Sequence, residues 1–275
     1  MSAEEREERL RFAFGENWLR FAEGLDEATV ASAESSLRAM LGVERLDGRR
    51  FLDVGSGSGL FSLAARRLGA EVRSFDYDES SVACTAGVKR RFFPNDARWT
   101  VERGSALDEG FLSGLGTFDV VYAWGVLHHT GAMWPALHNA AQRVAEGGTL
   151  FVALYNDQGW RSAAWRAVKR LYNALPPALR FLVLWPAFAR IWGPTFVRDL
   201  LRGSPRDSWR TYGGPRGMRP WRDVVDWVGG YPFEVASPEA VLEFCRERRL
   251  FPVRSRLVDG GYGCNEFVFK KRPRD

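Results

Sequence analysis

Cysteine is scarce in this sequence: Cys84, Cys245 and Cys264 are its only three, and they lie far apart in 275 residues. They form no CxxC pair and no metal-ligand spacing. A disulfide framework and a structural zinc are therefore excluded, and a reducing compartment is expected. Histidine is equally sparse, with His128, His129 and His138 confined to one window. No run reaches the about 18 apolar residues of a spanning helix, and the stretch from Phe181 to Ala189 is short and holds Pro186. The N-terminal residues are rich in Glu and Arg, without the apolar centre of a signal peptide. These absences lead to the expectation of a cytoplasmic protein with no metal.

Core material, by contrast, is ample: 45% of residues are hydrophobic and 13% aromatic, which argues against wholesale disorder. The net charge of +5 favours acidic partners or surfaces but identifies none.

Leu10, Phe14, Trp18 and Phe21 recur at helical spacing, so residues 1–47 read as a helical cap. A strand and helix alternation follows. Strands are expected at 51–54, 71–75, 99–102, 118–123 and 149–154, with intervening helices at 59–68, 80–91 and 133–145. The last of these helices is expected to stop at Gly147-Gly148. After a break at 158–237 the pattern resumes with a helix over 238–249 and strands at 253–258 and 265–270. The turn Asp259-Gly260-Gly261-Tyr262-Gly263 makes the last two strands an antiparallel pair. The expected architecture is α/β and Rossmann-like, a seven-stranded sheet with the last strand antiparallel. Its domains are a cap (1–47), a core (48–157), a basic aromatic helical insertion (158–237) and a C-terminal return to the sheet (238–275).

Asp53-Val54-Gly55-Ser56-Gly57-Ser58-Gly59 joins the first strand to the first core helix. Glycines there let backbone N–H groups approach a ligand closely. A dinucleotide fingerprint would need glycine at 60, where Leu60 stands, and no GK[ST] follows to make a phosphate loop. With the acidic end of the second strand and the segment from Phe118 to His129, the sequence resembles class I S-adenosylmethionine-dependent methyltransferases, over about 48–156 and 238–271.

That resemblance implies S-adenosylmethionine as cofactor and S-adenosylhomocysteine as product. It places Asp53, Gly55, Ser56, Gly57 and Gly59 at the methionine end. It gives Asp76 the ribose hydroxyls, with Asp78 as second candidate, and sets Tyr77 against adenine. Ser105 stands where the family often has an acidic residue contacting the adenine amino group; Ala106 beside it and Trp124 after the fourth strand complete the cofactor set. Phe14-Gly15-Glu16-Asn17-Trp18 looks like the segment that folds over the cofactor in quinone- and sugar-type members; burial in the core is the other reading.

Methyl transfer needs an aligned nucleophile and, for a hydroxyl acceptor, a base. His129 is the first candidate base and His128 the second, each with a loop-bracing role as the alternative; His138 reads as structural. Tyr155 and Asn156 follow the fifth strand at the edge where such sheets bind ligands, with capping of the next helix as the other reading of Asn156 and of Asp157 beside it. Tyr231, Asn265 and Glu266 are further substrate candidates, with a salt bridge to arginines of the insertion as the commoner explanation for Glu266. Loops 216–218 and 229–234 are candidates for closing over the site.

Residues 158–222 hold thirteen Lys or Arg against two acids, Asp199 and Asp207, and six of the eleven tryptophans. A lid over a small-molecule pocket comes first. Peripheral membrane contact, suited by 179–192, comes second, and nucleic acid is disfavoured because no recognised motif accompanies the charge. The expected activity is O-methylation of a small molecule (phenol, sugar or quinone-like). A S-adenosylmethionine-binding module, or a methyltransferase acting on a membrane lipid or nucleic acid, is the alternative. Oligomeric state is not encoded in any feature.

Overall fold

The computed structural model describes residues 10–12, 14–15, 18, 21–22, 24–212, 220–258 and 263–273. Two compact units are distinguished. One comprises 14–158 and 234–273; the other comprises Gly159–Phe233 with residues 10–12.

The first unit is built on a sheet of β1 (Arg50–Val54), β2 (Glu71–Asp76), β3 (Trp99–Arg103), β4 (Phe118–Trp124), β5 (Val144–Tyr155), β6 (Leu250–Arg256) and β7 (Cys264–Lys271). The spatial order is β3-β2-β1-β4-β5-β7-β6. β7 runs antiparallel to both neighbours and the remaining pairs are parallel, as the sequence leads one to expect. The central strands are apolar on both faces because helices cover both. Leu52, Val54, Val121 and Val152 point into one cluster; Phe51, Val72, Tyr122 and Phe151 point into the other.

The helices start where short polar side chains accept orphan backbone N–H groups. Asp26 caps α1 (Glu27–Leu41) through Thr29. α2 (Leu60–Arg67) opens on Gly59, with no side-chain cap. Asp78 caps α3 (Glu79–Phe92), Asp108 caps α4 (Glu109–Gly114), and α5 (Met133–Gln142) follows β4. α5 is shorter than its apolar pattern suggests, and Gly147-Gly148 does not end it. Those glycines lie within β5, whose pairing with β4 jumps from Phe118↔Val144 to Val120↔Thr149. The extra residues turn at Gly147 (φ 70°), and a Cβ on Gly148 would sit 2.8 Å from the Ala145 carbonyl.

The second unit holds α6 (Trp160–Ala174), α7 (Phe181–Leu201), α8 (Asp207–Arg210) and α9 (Pro220–Gly229). Its interior is aromatic: Trp192 meets Trp209 edge to face at 4.8 Å between centroids, and Trp165 meets Trp227 at 5.7 Å. The first unit resumes with α10 (Pro238–Arg246), capped by Ser237, ahead of β6 and β7.

Candidate functional site

β1 and β4 are neighbours whose following connections leave in opposite directions, to β2 on one side and β5 on the other. Such a switch point opens a crevice at the carboxyl ends of the strands. The glycine loop lies at this crevice. Gly55, Gly57 and Gly59 adopt φ of 72°, 51° and 77°, values that disfavour any side chain. Gly55 also has no room: a Cβ would lie 2.2 Å from Val126 Cγ2.

The loop is pinned from β2 and α3. Gly55 and Ser56 N–H groups both donate to the Phe75 carbonyl, at 2.9 and 3.0 Å. The Ser56 hydroxyl meets the Thr85 hydroxyl at 2.9 Å, and Thr85 Oγ1 donates to the Gly57 carbonyl at 3.2 Å. Asp76 completes the ring: one carboxylate oxygen accepts the Gly57 N–H at 2.9 Å and the other accepts the Asp78 N–H at 3.0 Å. Burial raises the Asp76 carboxyl to about 6, against the lowering by these backbone donors. Asp78, the second ribose candidate, spends its side chain on the Ser81 N–H as the α3 cap.

Asp53 faces the other way. Strand alternation puts it on the same face as Phe51, toward α2, where it is 2% exposed and accepts the Ser62 hydroxyl at 2.5 Å. Ser62 in turn meets Ser74 at 2.6 Å, and the Trp99 indole donates to Ser74 at 2.9 Å. An indole N–H only donates, and each serine carries one proton. Trp99 therefore donates to Ser74, Ser74 to Ser62, and Ser62 to Asp53, a one-way chain ending on the carboxylate. Burial nevertheless lifts Asp53 to about 7, and the charge of Asp76 adds to the rise. Ser62, Ser74 and Thr85 were not singled out in the sequence. Their signal was a hydroxyl at positions where the helix and strand periodicities call for an apolar residue.

Three described residues of the N-terminal segment lie near the site: Trp18 against the glycine loop, Gly15 against Asp78 and Phe14 against His129. The Trp18 indole lies 3.2 Å from where a Gly57 Cβ would stand, and the Trp18 carbonyl accepts the Cys84 thiol at 3.2 Å. A Gly15 Cβ would collide with Asp78 Oδ1 at 2.2 Å, and the Phe14 ring sits 4.9 Å from His129. Glu16 and Asn17 lie outside the described residues. Tyr77 is exposed and stands under the Arg103 guanidinium. Ser105 turns its hydroxyl to the Leu107 N–H, and the Ala106 carbonyl accepts from Asn139 at 3.1 Å.

The two adjacent histidines have different surroundings. His128 is fully buried; its Nδ1 accepts the Tyr155 N–H at 3.2 Å and its carbonyl accepts the Glu234 N–H at 3.0 Å. An accepting Nδ1 places the proton of the neutral ring on Nε2. The ring lies 3.8 Å from the Tyr155 ring. His129 is half-buried, between Phe14 and Tyr155. Glu234, expected only as part of a closing loop, accepts the Met133 N–H through both oxygens and so caps α5. His138 accepts from Arg248 at 3.0 Å.

The remaining substrate candidates divide. Asn265 is 1% exposed; its amide donates to Asn156 Oδ1 at 2.9 Å and accepts the Val258 N–H at 3.0 Å. The pair braces the end of β5 against the chain entering β7. Trp124, Ala153 and Glu266 stand in one row across β4, β5 and β7, and the Trp124 indole donates to Glu266 at 2.9 Å. Glu266 pairs with Arg256 of β6 at 3.4 Å, which corrects the expectation of a partner in the insertion. Tyr231 belongs to the other unit, is 7% exposed, and its carbonyl accepts the Phe12 N–H at 2.9 Å. Residues 216–218 and Tyr262 lie outside the described residues. Among the described residues no cluster of three His, Cys, Asp or Glu could hold a metal ion.

Residues 27–187 match the family model of a methyltransferase domain. A ubiquinone biosynthesis O-methyltransferase of Caulobacter sp. (strain K31) is 28% identical over 175 residues, 61% of this chain and 63% of that protein. One of the same name from Parvibaculum lavamentivorans is 32% identical over 120 residues, 42% and 43% of the two chains. The chain thus spans less than two thirds of the length of these curated relatives. Among solved structures, an O-methyltransferase family protein from Burkholderia thailandensis aligns with a TM-score of 0.55 at 13% identity, over 95% of this chain and 59% of that one. A magnesium protoporphyrin IX methyltransferase from Synechocystis PCC 6803, solved with bound SAH, aligns with a TM-score of 0.51 at 14% identity, over 93% and 86%. At these identities the likeness shows the fold.

Proposed function

The chain belongs to the methyltransferase-domain family, and we propose that it uses S-adenosylmethionine to methylate an oxygen of a small molecule, a phenol, sugar or quinone-like acceptor. The observation that carries this reading is the glycine loop closed by Asp76. Its three glycines hold φ values that keep side chains off the backbone, and a carboxylate stands at its rim. The donor set fits the cofactor. Asp76 has accepting capacity beyond its two backbone bonds, as a ribose diol requires. Residues 53–59 carry no cation of the kind a phosphate would call for.

The cofactor, when bound, supplies a methyl group already activated by positive sulfur. Gly55, Gly57 and Gly59 present backbone to it, Ser56 and Thr85 fix the loop, and Asp76 takes the ribose. Tyr77, Ser105 and Ala106 would form the adenine side, and Trp124, its indole held by Glu266, would stand at the end of β4. Asp53 acts as a positioning residue through Ser62. Trp18 covers the loop at Gly57 and Phe14 covers His129, so that the segment excludes water. His129 takes the acceptor's proton, while His128 holds the loop to the end of β5. Tyr155 orients the acceptor beside His129.

The names of the curated relatives support oxygen as the accepting atom and a quinol-type ring as the first compound to test. Free buried thiols at Cys84 and Cys245 support a reducing, cytoplasmic setting. No helix among the described residues is long and apolar enough to cross a membrane. The test is a methyl-transfer screen with labelled S-adenosylmethionine over quinols, catechols, sugars and small acids. Label in a catechol or quinol ether is expected; label only in methyl esters of the acids would reject a hydroxyl acceptor, and label only in added amines or thiols would reject the oxygen assignment.

A further inference from the structure

α7 has 21 residues, about 31 Å at 1.5 Å per residue. One face is committed: Ala187, Trp192 and Asp199 are buried, and the Trp192 ring packs on Trp209 and Tyr212. Asp199, the one acid in the helix, is 3% exposed and accepts both the N–H and the hydroxyl of Ser208. Away from that face Leu182, Val197, Leu200 and Leu201 are more than half exposed, Leu201 as much as 82%; Phe181 and Trp185 in the first turns are also more than half exposed, with the Trp185 ring packed on Phe188 and Trp221. Pro186, Ala189 and Pro194 on the same side are exposed too. The charges of this surface are Arg190, on the same stripe as Val197 and Leu201, and Arg198 and Arg202 at its edge, each exposed, with Arg198 also donating to the Ser208 hydroxyl at 3.0 Å. In the same unit, Trp160 at the start of α6 is 77% exposed.

We propose that this face of α7 docks onto the surface of a lipid bilayer containing anionic phospholipid. Three observations select that occupant. The exposed side chains of α7 are large and apolar with arginines among and beside them and no exposed acid, which suits a helix lying in the interface plane with guanidinium groups among phosphates. Trp160 and Trp185 are the residue type favoured at headgroup depth. α7 does not qualify as a span, so it lies on the bilayer and not through it. A nucleic acid backbone would engage the arginines but leave the leucines and Phe181 in water. A second copy of the chain meeting this face symmetrically would bring both sets of arginines into one interface with no exposed acid of α7 to pair with them.

Vesicle flotation with the full chain tests the proposal, using phosphatidylcholine alone and phosphatidylcholine with phosphatidylglycerol. The chain is expected to float with the anionic vesicles at low salt, less at high salt, with a blue shift of tryptophan emission. Leu200→Glu with Leu201→Glu should weaken partitioning about tenfold or more, since both side chains would enter the apolar layer. If that variant loses its circular dichroism signature, Arg190→Gln with Arg198→Gln and Arg202→Gln serves instead and should bring anionic binding down to the level on neutral vesicles. Failure of the wild-type chain to float with anionic vesicles overturns the proposal. So does flotation that survives either variant with its fold intact. So does a dimer that the leucine changes dissociate, or oligonucleotide binding that outcompetes the vesicles.

Discussion

Asp76 accepts the Gly57 N–H at 2.9 Å, so the carboxylate proposed to hold the ribose also sets the loop proposed to hold the methionine end. Its removal should therefore cost twice. Asp76→Ala deletes a charged acceptor and leaves the Gly57 N–H without it; hydrogen bonds to charged groups contribute about 1.5–3 kcal/mol. Titration calorimetry should show S-adenosylhomocysteine affinity falling at least about tenfold. Affinity within twofold of wild type would reject the assignment.

Asp53 tests the buried hydroxyl chain. Its carboxyl rises from an ordinary 3.8 to about 7, chiefly through burial. A carboxyl raised on folding contributes stability that is full below the unfolded value and is lost as pH rises through the folded one. The contribution of Asp53, and of Asp76 with its value near 6, should therefore fade between about pH 4 and pH 7. Denaturant melts of Asp53→Asn should show a flatter dependence over that window than wild type. A parallel pH profile would contradict the shift.

Ser62→Ala cuts the same chain at its last donor. Asp53 then loses its 2.5 Å partner, and an underbonded buried acceptor costs about 1–3 kcal/mol. That loss should be largest at pH 8, where the carboxylate is ionised. A denaturation midpoint unchanged at that pH would show that the chain carries no stability.

The two histidines should separate cleanly. His129→Ala is expected to lower turnover about 100-fold with cofactor affinity preserved. His128→Ala instead removes the acceptor of the Tyr155 N–H and should cost about 1–3 kcal/mol of stability. Steady-state kinetics beside thermal melts distinguish them. Equal turnover losses with equal melts would refute the division of roles.

Gly55→Ala faces both a φ of 72° and a Cβ contact of 2.2 Å with Val126. It should destabilise the first unit by about 1–3 kcal/mol. Adding Val126→Ala should recover the steric part only. Full stability in the single variant would mean that the loop relaxes freely.

Much of this was legible in the residues. Alternating apolar strands and helices gave the seven strands, and the turn after residue 258 gave the antiparallel β7. The position of Asp76 at a strand end was equally plain. Asp53 shows the limit. Its place before the glycines pointed to the ligand, yet strand alternation with Phe51 turns it toward α2, and that direction depends on which face each helix covers. The extent of α5 failed for a related reason: Gly147 and Gly148 read as a stop, but β4 had to recruit Val144 before the chain could turn. Glu266 reads as a substrate contact or as the partner of an insertion arginine, because Arg256 lies across a strand pairing whose register the sequence does not state.

The central claim rests on one ligand at one loop. Calorimetric titration of the intact chain with S-adenosylmethionine, and with S-adenosylhomocysteine, measures it directly. The account predicts saturable one-to-one binding of both, weakened by Asp76→Ala. Absence of binding for both ligands to the folded chain would contradict it.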